Sequence, residues 1–238
     1  ARSDSLVSLE QVLLNFEPVQ HLQRITIKEG IIQWAQDDTT FSVIRSLDGA
    51  IYREKQSELV LRGKGSLLES LEENILAEGR IDLDTGHFMK ASFNVNGYDL
   101  QNGIDFLAPE KIAVNGGVLD ADLLWMPQES RNQNSLSGSF NIRQGDFTLH
   151  SGKLHFQNTQ TRGEIQGTDI YLKTVQTVNG ASVSVDGHIY QVNDPVFDLQ
   201  VNADNFDLQR FVEVLPPDIS AGMQGVLRAR GQVTGFMS

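Results

Sequence analysis

The sequence predicts a mostly β protein: a curled antiparallel sheet run as a meander, with short helices at the N-terminus and at one point in each of two repeats. Three observations lead there. First, the chain matches itself at a shift of 108 positions. Gly79-x-Ile81 falls on Gly187-x-Ile189, Asp99-Leu100-Gln101 on Asp207-Leu208-Gln209, and Gly117-Val118-Leu119 on Gly225-Val226-Leu227. Residues 79–121 give 13 identities in 43 positions in this register, where ordinary residue frequencies give about three. At a shift of 115, Ile25-x-Ile27-x-x-Gly30-x-Ile32 falls on Phe140-x-Ile142-x-x-Gly145-x-Phe147, so the two copies differ by a net loop change of seven residues. Second, apolar residues alternate with polar ones over most of the chain, the period of a half-buried strand. Third, Gly79/Gly187 and Gly117/Gly225 recur inside strand patterns. Glycine there marks bulges, bends or close backbone approach, and lets a sheet curl.

The elements follow in order. Ser5 to Phe16 carries Leu6, Leu9, Leu13 and Phe16 at helical spacing, with Asp4 or Ser5 to cap the free N–H groups and Pro18 to stop it. From Ile25 the period becomes two. Ile25, Ile27, Ile32 and Trp34 alternate around a turn expected at Lys28-Glu29-Gly30. Leu59 and Leu61 follow, then Ile81 and Leu83 before the Asp84-Thr85-Gly86 turn, then Ala91, Phe93 and Val95. Residues 63–75 read equally as a helix over Ser66–Glu73 or as a bent strand and loop. The second half alternates more cleanly through Phe140/Ile142, Phe147/Leu149, Leu154/Phe156, Ile170/Leu172, Val183/Val185/Ile189 and Phe197/Leu199/Val201. Its turn chemistry lies at Gln144-Gly145-Asp146, Ser151-Gly152, Asn179-Gly180 and Asn193-Asp194-Pro195.

Each copy also carries a short helix-like insertion: Tyr98, Leu100, Ile104, Leu107 and Pro109 in the first, and Phe206, Leu208, Phe211, Val212, Leu215 and Pro216 in the second. Asp99 and Asp207 precede them as expected N-caps, each bonding a backbone N–H two or three residues on. Pro127 to Leu136 is polar and turn-rich. The division that follows is an N-terminal helix (1–18), a first repeat (19–126) and a second (127–238), forming one continuous segment.

Composition restricts function. A formal charge of −12, with 19 basic residues forming no run, argues against a nucleic-acid partner. The absence of cysteine excludes disulfides, thiol nucleophiles and thiolate metal sites. No apolar stretch approaches the ~20 residues of a membrane span, and the N-terminus lacks a signal-like pattern. The chain reads as a segment of a longer protein whose signal or anchor lies elsewhere. The five histidines (His21, His87, His150, His155 and His188) are dispersed, and no nucleophile elbow, zinc motif or phosphate loop occurs. Asp82/Asp84 and Asp204/Asp207 imitate paired carboxylates, but turn chemistry explains aspartates there. No catalytic residue, metal site or cofactor is expected, and the protein reads as a non-enzyme.

A curled sheet with one apolar face either packs it away, as in a sandwich, or leaves it lining a groove that something apolar must occupy. The run from Gly187 to Gly235, with Gly-x-Ile, Phe-x-Leu-x-Val-x-Ala, Phe-Asp-Leu, Val-Leu-Pro-Pro and Gly-Val-Leu-x-Ala-x-Gly-x-Val-x-Gly, resembles the TamB-related AsmA-like family. Arg24-Ile25-x-Ile27-x-x-Gly30-x-Ile32 is similar to that family's strand opening. The resemblance implies a periplasmic segment of a protein anchored in the inner membrane. It implies a U-shaped β-groove, or β-taco, that carries phospholipid acyl chains between inner and outer membranes, with an outer-membrane β-barrel as a partner of the full-length chain. The candidate lining is Ile25, Ile27, Ile32, Trp34, Phe93 and Val95 in the first copy. In the second it is Phe140, Ile142, Phe147, Leu149, Leu154, Phe156, Ile170, Leu172, Val183, Val185, Phe197, Leu199 and Val201. The alternative is a structural or chaperone-like β module that assists outer-membrane protein assembly by pairing an exposed edge strand with a partner.

Overall fold

The computed structural model describes residues 23–36, 39–68, 70–85, 87–102, 112–127, 134–149, 154–178, 181–191, 196–207 and 226–236. These residues are nearly all strand. In chain order the strands are β1 (Arg24–Gln36), β2 (Thr39–Lys55), β3 (Glu58–Leu67), β4 (Ile75–Asp82), β5 (Phe88–Asp99) and β6 (Ile112–Pro127). They continue as β7 (Asn134–Leu149), β8 (Leu154–Gln166), β9 (Asp169–Val178), β10 (Ala181–Tyr190), β11 (Val196–Asp207) and β12 (Val226–Phe236). Spatial order equals chain order in a 12-stranded sheet, and β1 and β12 have one strand neighbour each, so the sheet does not close. Every register described is antiparallel. The mostly β, antiparallel meander read from the alternation is the fold.

The registers show the repeat in three dimensions. In β1 and β2, Ile27 faces Gly49, Gly30 faces Leu47 and Ile32 faces Ile44, with a register shift on either side of Gly30. In β7 and β8, Ile142 faces Thr161, Gly145 faces Thr159 and Phe147 faces Phe156, with shifts at the same places. One strand further, Gly49 opposite Gly63 matches Thr161 opposite Thr174. Leu61 opposite Gly79 then matches Leu172 opposite Gly187. The shortening of the second copy is thereby located. Three residues are lost between Ile32–Ile44 and Phe147–Phe156, one between Gly49–Gly63 and Thr161–Thr174, and three between Gly63–Ala77 and Thr174–Val185.

Two expected turns are bulges instead. Lys28-Glu29-Gly30 and Gln144-Gly145-Asp146 lie inside unbroken β1 and β7. Glu29 (φ 52°) and Gln144 (φ 53°) are left-handed there. A left-handed residue before glycine fits either a hairpin turn or a bulge. Pairing decides, because both flanks of each bulge stay on one partner strand. Of the two readings of residues 63–75, the bent strand and loop is the one that forms. β3 runs to Leu67, Leu68 turns with φ 50°, and Asn74 ties the loop together. The Asn74 Oδ1 accepts from Leu67 N (2.8 Å) and its Nδ2 donates to Ser70 Oγ (2.9 Å). Leu71, which a helix would have placed on an apolar stripe, is 99% exposed. Sheet pairing of Ser66 with Arg45 overrides the local helix pattern.

Short helices do not emerge among the described residues beyond one 3₁₀ turn, Leu100–Asn102. Tyr98 and Asp99 before it belong to β5, and Phe206 and Asp207 belong to β11. The expected helix at Ser5–Phe16 and the remainder of both insertions lie outside the described residues. Asp99 does cap as expected, its Oδ1 accepting from Gln101 N at 3.0 Å.

The chain divides into two compact units, Ala1–Asn94 with Leu124–Ser135, and Val95–Leu123 with Leu136–Ser238. In the first unit Ile51, Leu59 and Ile81 are buried, with Ile25, Ile27, Leu61, Leu83 and Phe88 packed against them. The other face of those strands carries an ionic network as well as the buried Val60, which stands opposite Arg80. Arg80 Nη1 bridges Glu54 (2.6 Å) and Glu58 (2.7 Å), and Lys55 reaches Glu58 at 3.1 Å. In the second unit Ala181 and Val183 are buried, with Phe156, Val185, Val201 and Ala203 against them.

Candidate functional site

Alternation puts apolar residues on one face of each strand, and register decides whether those faces coincide. In the second unit they do. Phe140, Gly163, Leu172, Gly187 and Leu199 form one cross-strand row through β7–β11. Ile142, Thr161, Thr174, Val185 and Val201 form the next, and Ile165, Ile170, Ile189 and Phe197 another. Phe147 and Phe156 face each other, as do Leu149 and Leu154. All the second-copy candidates, including Val183 opposite Ala203, therefore lie on a single face. Val183 is buried, and Phe140, Ile142, Phe147, Phe156, Ile170, Leu172, Val185, Phe197, Leu199 and Val201 are half-buried. The side chains of Leu149 and Leu154 fall outside the described residues.

The first-copy candidates are more dispersed. Ile25 faces Ile51, and Ile27 is half-buried against the same cluster. Ile32 is 40% exposed. Phe93 and Val95 share a face of β5, Val95 buried and Phe93 half-buried. Trp34 lies on β1 opposite Phe41, with its side chain outside the described residues.

Glycines shape this face. Gly163 sits under the Phe140 ring, and a Cβ there would stand 2.9 Å from Cε2 and closer still to Cε1 and Cζ. Gly187 (φ 152°) and Gly117 (φ 135°) adopt backbone that side chains disfavour. Gly79, the repeat partner of Gly187, instead leaves room for the Phe88 ring. The apolar face also has a polar interruption that alternation did not signal. Thr159, Thr161 and Thr174 are buried on it, and the last two hydroxyls bond each other at 3.0 Å.

The opposite face is polar. The Asp146 Oδ1 accepts from Asn115 Nδ2 (3.0 Å) and meets His155 Nε2 at 2.6 Å. The Asn115 bond, with help from His155, holds the Asp146 carboxyl below its ordinary value against the opposing effect of burial. Tyr171 donates to Asp186 Oδ2 at 3.0 Å, which raises the phenol's pKa. His188 stacks on Tyr190 at a centroid distance of 5.5 Å and meets the Tyr171 ring at 5.0 Å with the planes tilted by 50°.

This face also gathers Arg143, Arg162 and Lys173 around one cavity of about 530 Å³. The sequence showed only scattered basic residues. Their shared parity along β7, β8 and β9 was legible, but their adjacency needed the registers. No group of three or more His, Asp or Glu suited to a metal ion occurs among the described residues. Comparison with protein-family models, curated proteins and solved structures gave no match for this chain.

Proposed function

We propose that this chain is a segment of a periplasmic protein of the TamB-related AsmA-like kind, anchored in the inner membrane by a part outside it. Its apolar sheet face would form a U-shaped groove that binds phospholipid acyl chains and conducts them between the membranes. The observation that carries this reading is the coincidence of apolar faces across β7–β11, in rows such as Phe140–Leu172–Leu199. Each methylene taken from water contributes about 0.8 kcal/mol, so a continuous stripe holds tails by transfer alone. Movement along it then requires no specific contact and no chemical step.

The test is mass spectrometry of lipids co-purifying with the protein, with uptake of a fluorescent phospholipid by the wild type and by Leu199→Asp and Phe156→Asp. Acyl lipids in the wild type, and loss of uptake in variants that keep their β-sheet circular dichroism, are expected. A lipid-free wild type, or charged variants that load normally, would overturn the proposal.

A second reading rests on a separate observation. Among the described residues β1 pairs on one side only, and Ile31 on it is 60% exposed. Such an edge templates strand addition by a partner, as an outer-membrane β-barrel protein would require. That reading predicts peptide capture blocked by a proline at Ile31 and untouched by Leu199→Asp.

A further inference from the structure

We infer that the cavity lined by Arg143, Arg162 and Lys173 is a binding site for a phosphoryl group, carried on a small ester or on a lipid headgroup. It lies on the face opposite the apolar rows, so the inference goes beyond the acyl-chain proposal and does not rest on it.

The argument begins with a placement that is unfavourable for folding alone. Arg162 and Lys173 stand directly opposite each other on β8 and β9. Like charges facing across a sheet destabilise it. No carboxylate forms an ion pair with either of them among the described residues. Asp186 faces Lys173 on β10, yet its Oδ2 accepts from Tyr171 instead. Glu164, two residues along β8, makes no ion pair with Arg162 among the described residues. Arg143 pairs with Asp120 at 2.8 Å but remains 55% exposed. The remaining polar lining, Asn141, Gln144 and Gln160, is uncharged amide.

The repeat supplies an internal control. The row Asn141–Arg162–Lys173 corresponds in the first copy to Thr26–Ala50–Arg62, whose arginine faces Glu78 as Lys173 faces Asp186. Gln144 and Gln160 correspond to Glu29 and Asp48. The same scaffold thus holds two carboxylates and an alanine where the second copy holds two amides and an arginine. The first copy builds the same pairing with alanine at the position of Arg162, so the scaffold does not require the facing cations.

The chemistry selects the ligand class. The Arg162 guanidinium, the Lys173 ammonium and the exposed part of the Arg143 fork match the several oxygens and full negative charge of a phosphate ester, monoester or diester, better than a single carboxylate. The cavity of about 530 Å³ leaves room for the group that carries the phosphate.

Titration calorimetry with inorganic phosphate and with glycerol 3-phosphate, and co-sedimentation with phosphatidylglycerol or phosphatidylcholine vesicles, test the site. The proteins compared are the wild type, Arg162→Gln/Lys173→Gln and the first-copy control Arg62→Gln. Binding weakened about tenfold or more in the double variant, unchanged in the control and falling with salt, is expected. Removing facing like charges should leave the melting temperature equal or higher, so misfolding cannot mimic the loss. Soluble esters binding without vesicles identifies a free ester, and phosphatidylglycerol vesicles alone identify a headgroup. Equal loss in the control, or no binding to any of these probes, overturns the inference.

Discussion

The Phe140 ring occupying the space above Gly163 provides a sharp test of the second unit's apolar face. Phe140 is half-buried, so Phe140→Ala should cost about 2 kcal/mol, roughly half of what a fully buried ring costs. Gly163→Ala places a methyl group into that ring, 2.9 Å from Cε2 and nearer to two other atoms. Overpacking of this kind costs about 1–3 kcal/mol. If the two effects were independent, the double variant would lose about 3–5 kcal/mol. The geometry predicts otherwise. With the ring gone the methyl fits, and alanine in a strand interior recovers roughly 0.5–1 kcal/mol relative to glycine. The double variant should therefore cost about 1–2 kcal/mol, a coupling of about 2–3 kcal/mol between positions on facing strands. Urea unfolding of the four proteins at neutral pH measures it. Additivity to within about 0.5 kcal/mol would refute the account of this face as one in which ring and glycine interlock.

Three further outcomes follow from the same structure. Thr161→Val should cost about 1–3 kcal/mol by leaving the buried Thr174 hydroxyl without its partner, whereas Thr161→Val/Thr174→Val should be nearly neutral; equal costs in a denaturant series would contradict this. Arg80, and then Lys55, hold the Glu58 carboxyl below its ordinary 4.5. Its stabilisation is present above that value and lost as pH falls through the lowered one, so Glu58→Gln should flatten the melting-temperature profile in that acid range, and a steeper profile would count against the network. Asp186 raises the Tyr171 phenol above its ordinary 10.0, so any stability from that bond is present below 10.0 and lost as pH climbs through the raised value. Asp186→Asn should shift the tyrosine absorbance titration back toward 10.0, and an unmoved curve would refute the bond's role.

Much of the fold was legible because strand periodicity is local. A residue's face follows from its parity, which is why Phe140, Leu172, Val185 and Leu199 could be grouped before any strand was paired. The cap at Asp99 was legible for the same reason, since its bond spans two residues. Legibility failed where the deciding contact was distant. The strand β2 is not legible in the sequence because the alternation of Leu47, Gly49 and Ile51 begins only after a left-handed Ser46 and runs among charged residues. The Leu67–Leu71–Ile75 spacing fits a helix equally well until β3 pairs with β2.

The sequence by itself determined the repeat, the antiparallel meander and the apolar parity of the second half, all properties of neighbours along the chain. Only the tertiary structure decided that Glu29-Gly30 and Gln144-Gly145 are bulges in continuous strands, because a turn and a bulge share their local backbone and differ in which strand the flanks pair with. It also decided that three arginine and lysine side chains, 11 to 30 residues apart in sequence, share one cavity. Parity sets the face, but register sets the neighbours, and register depends on loop lengths and bulges summed over several strands.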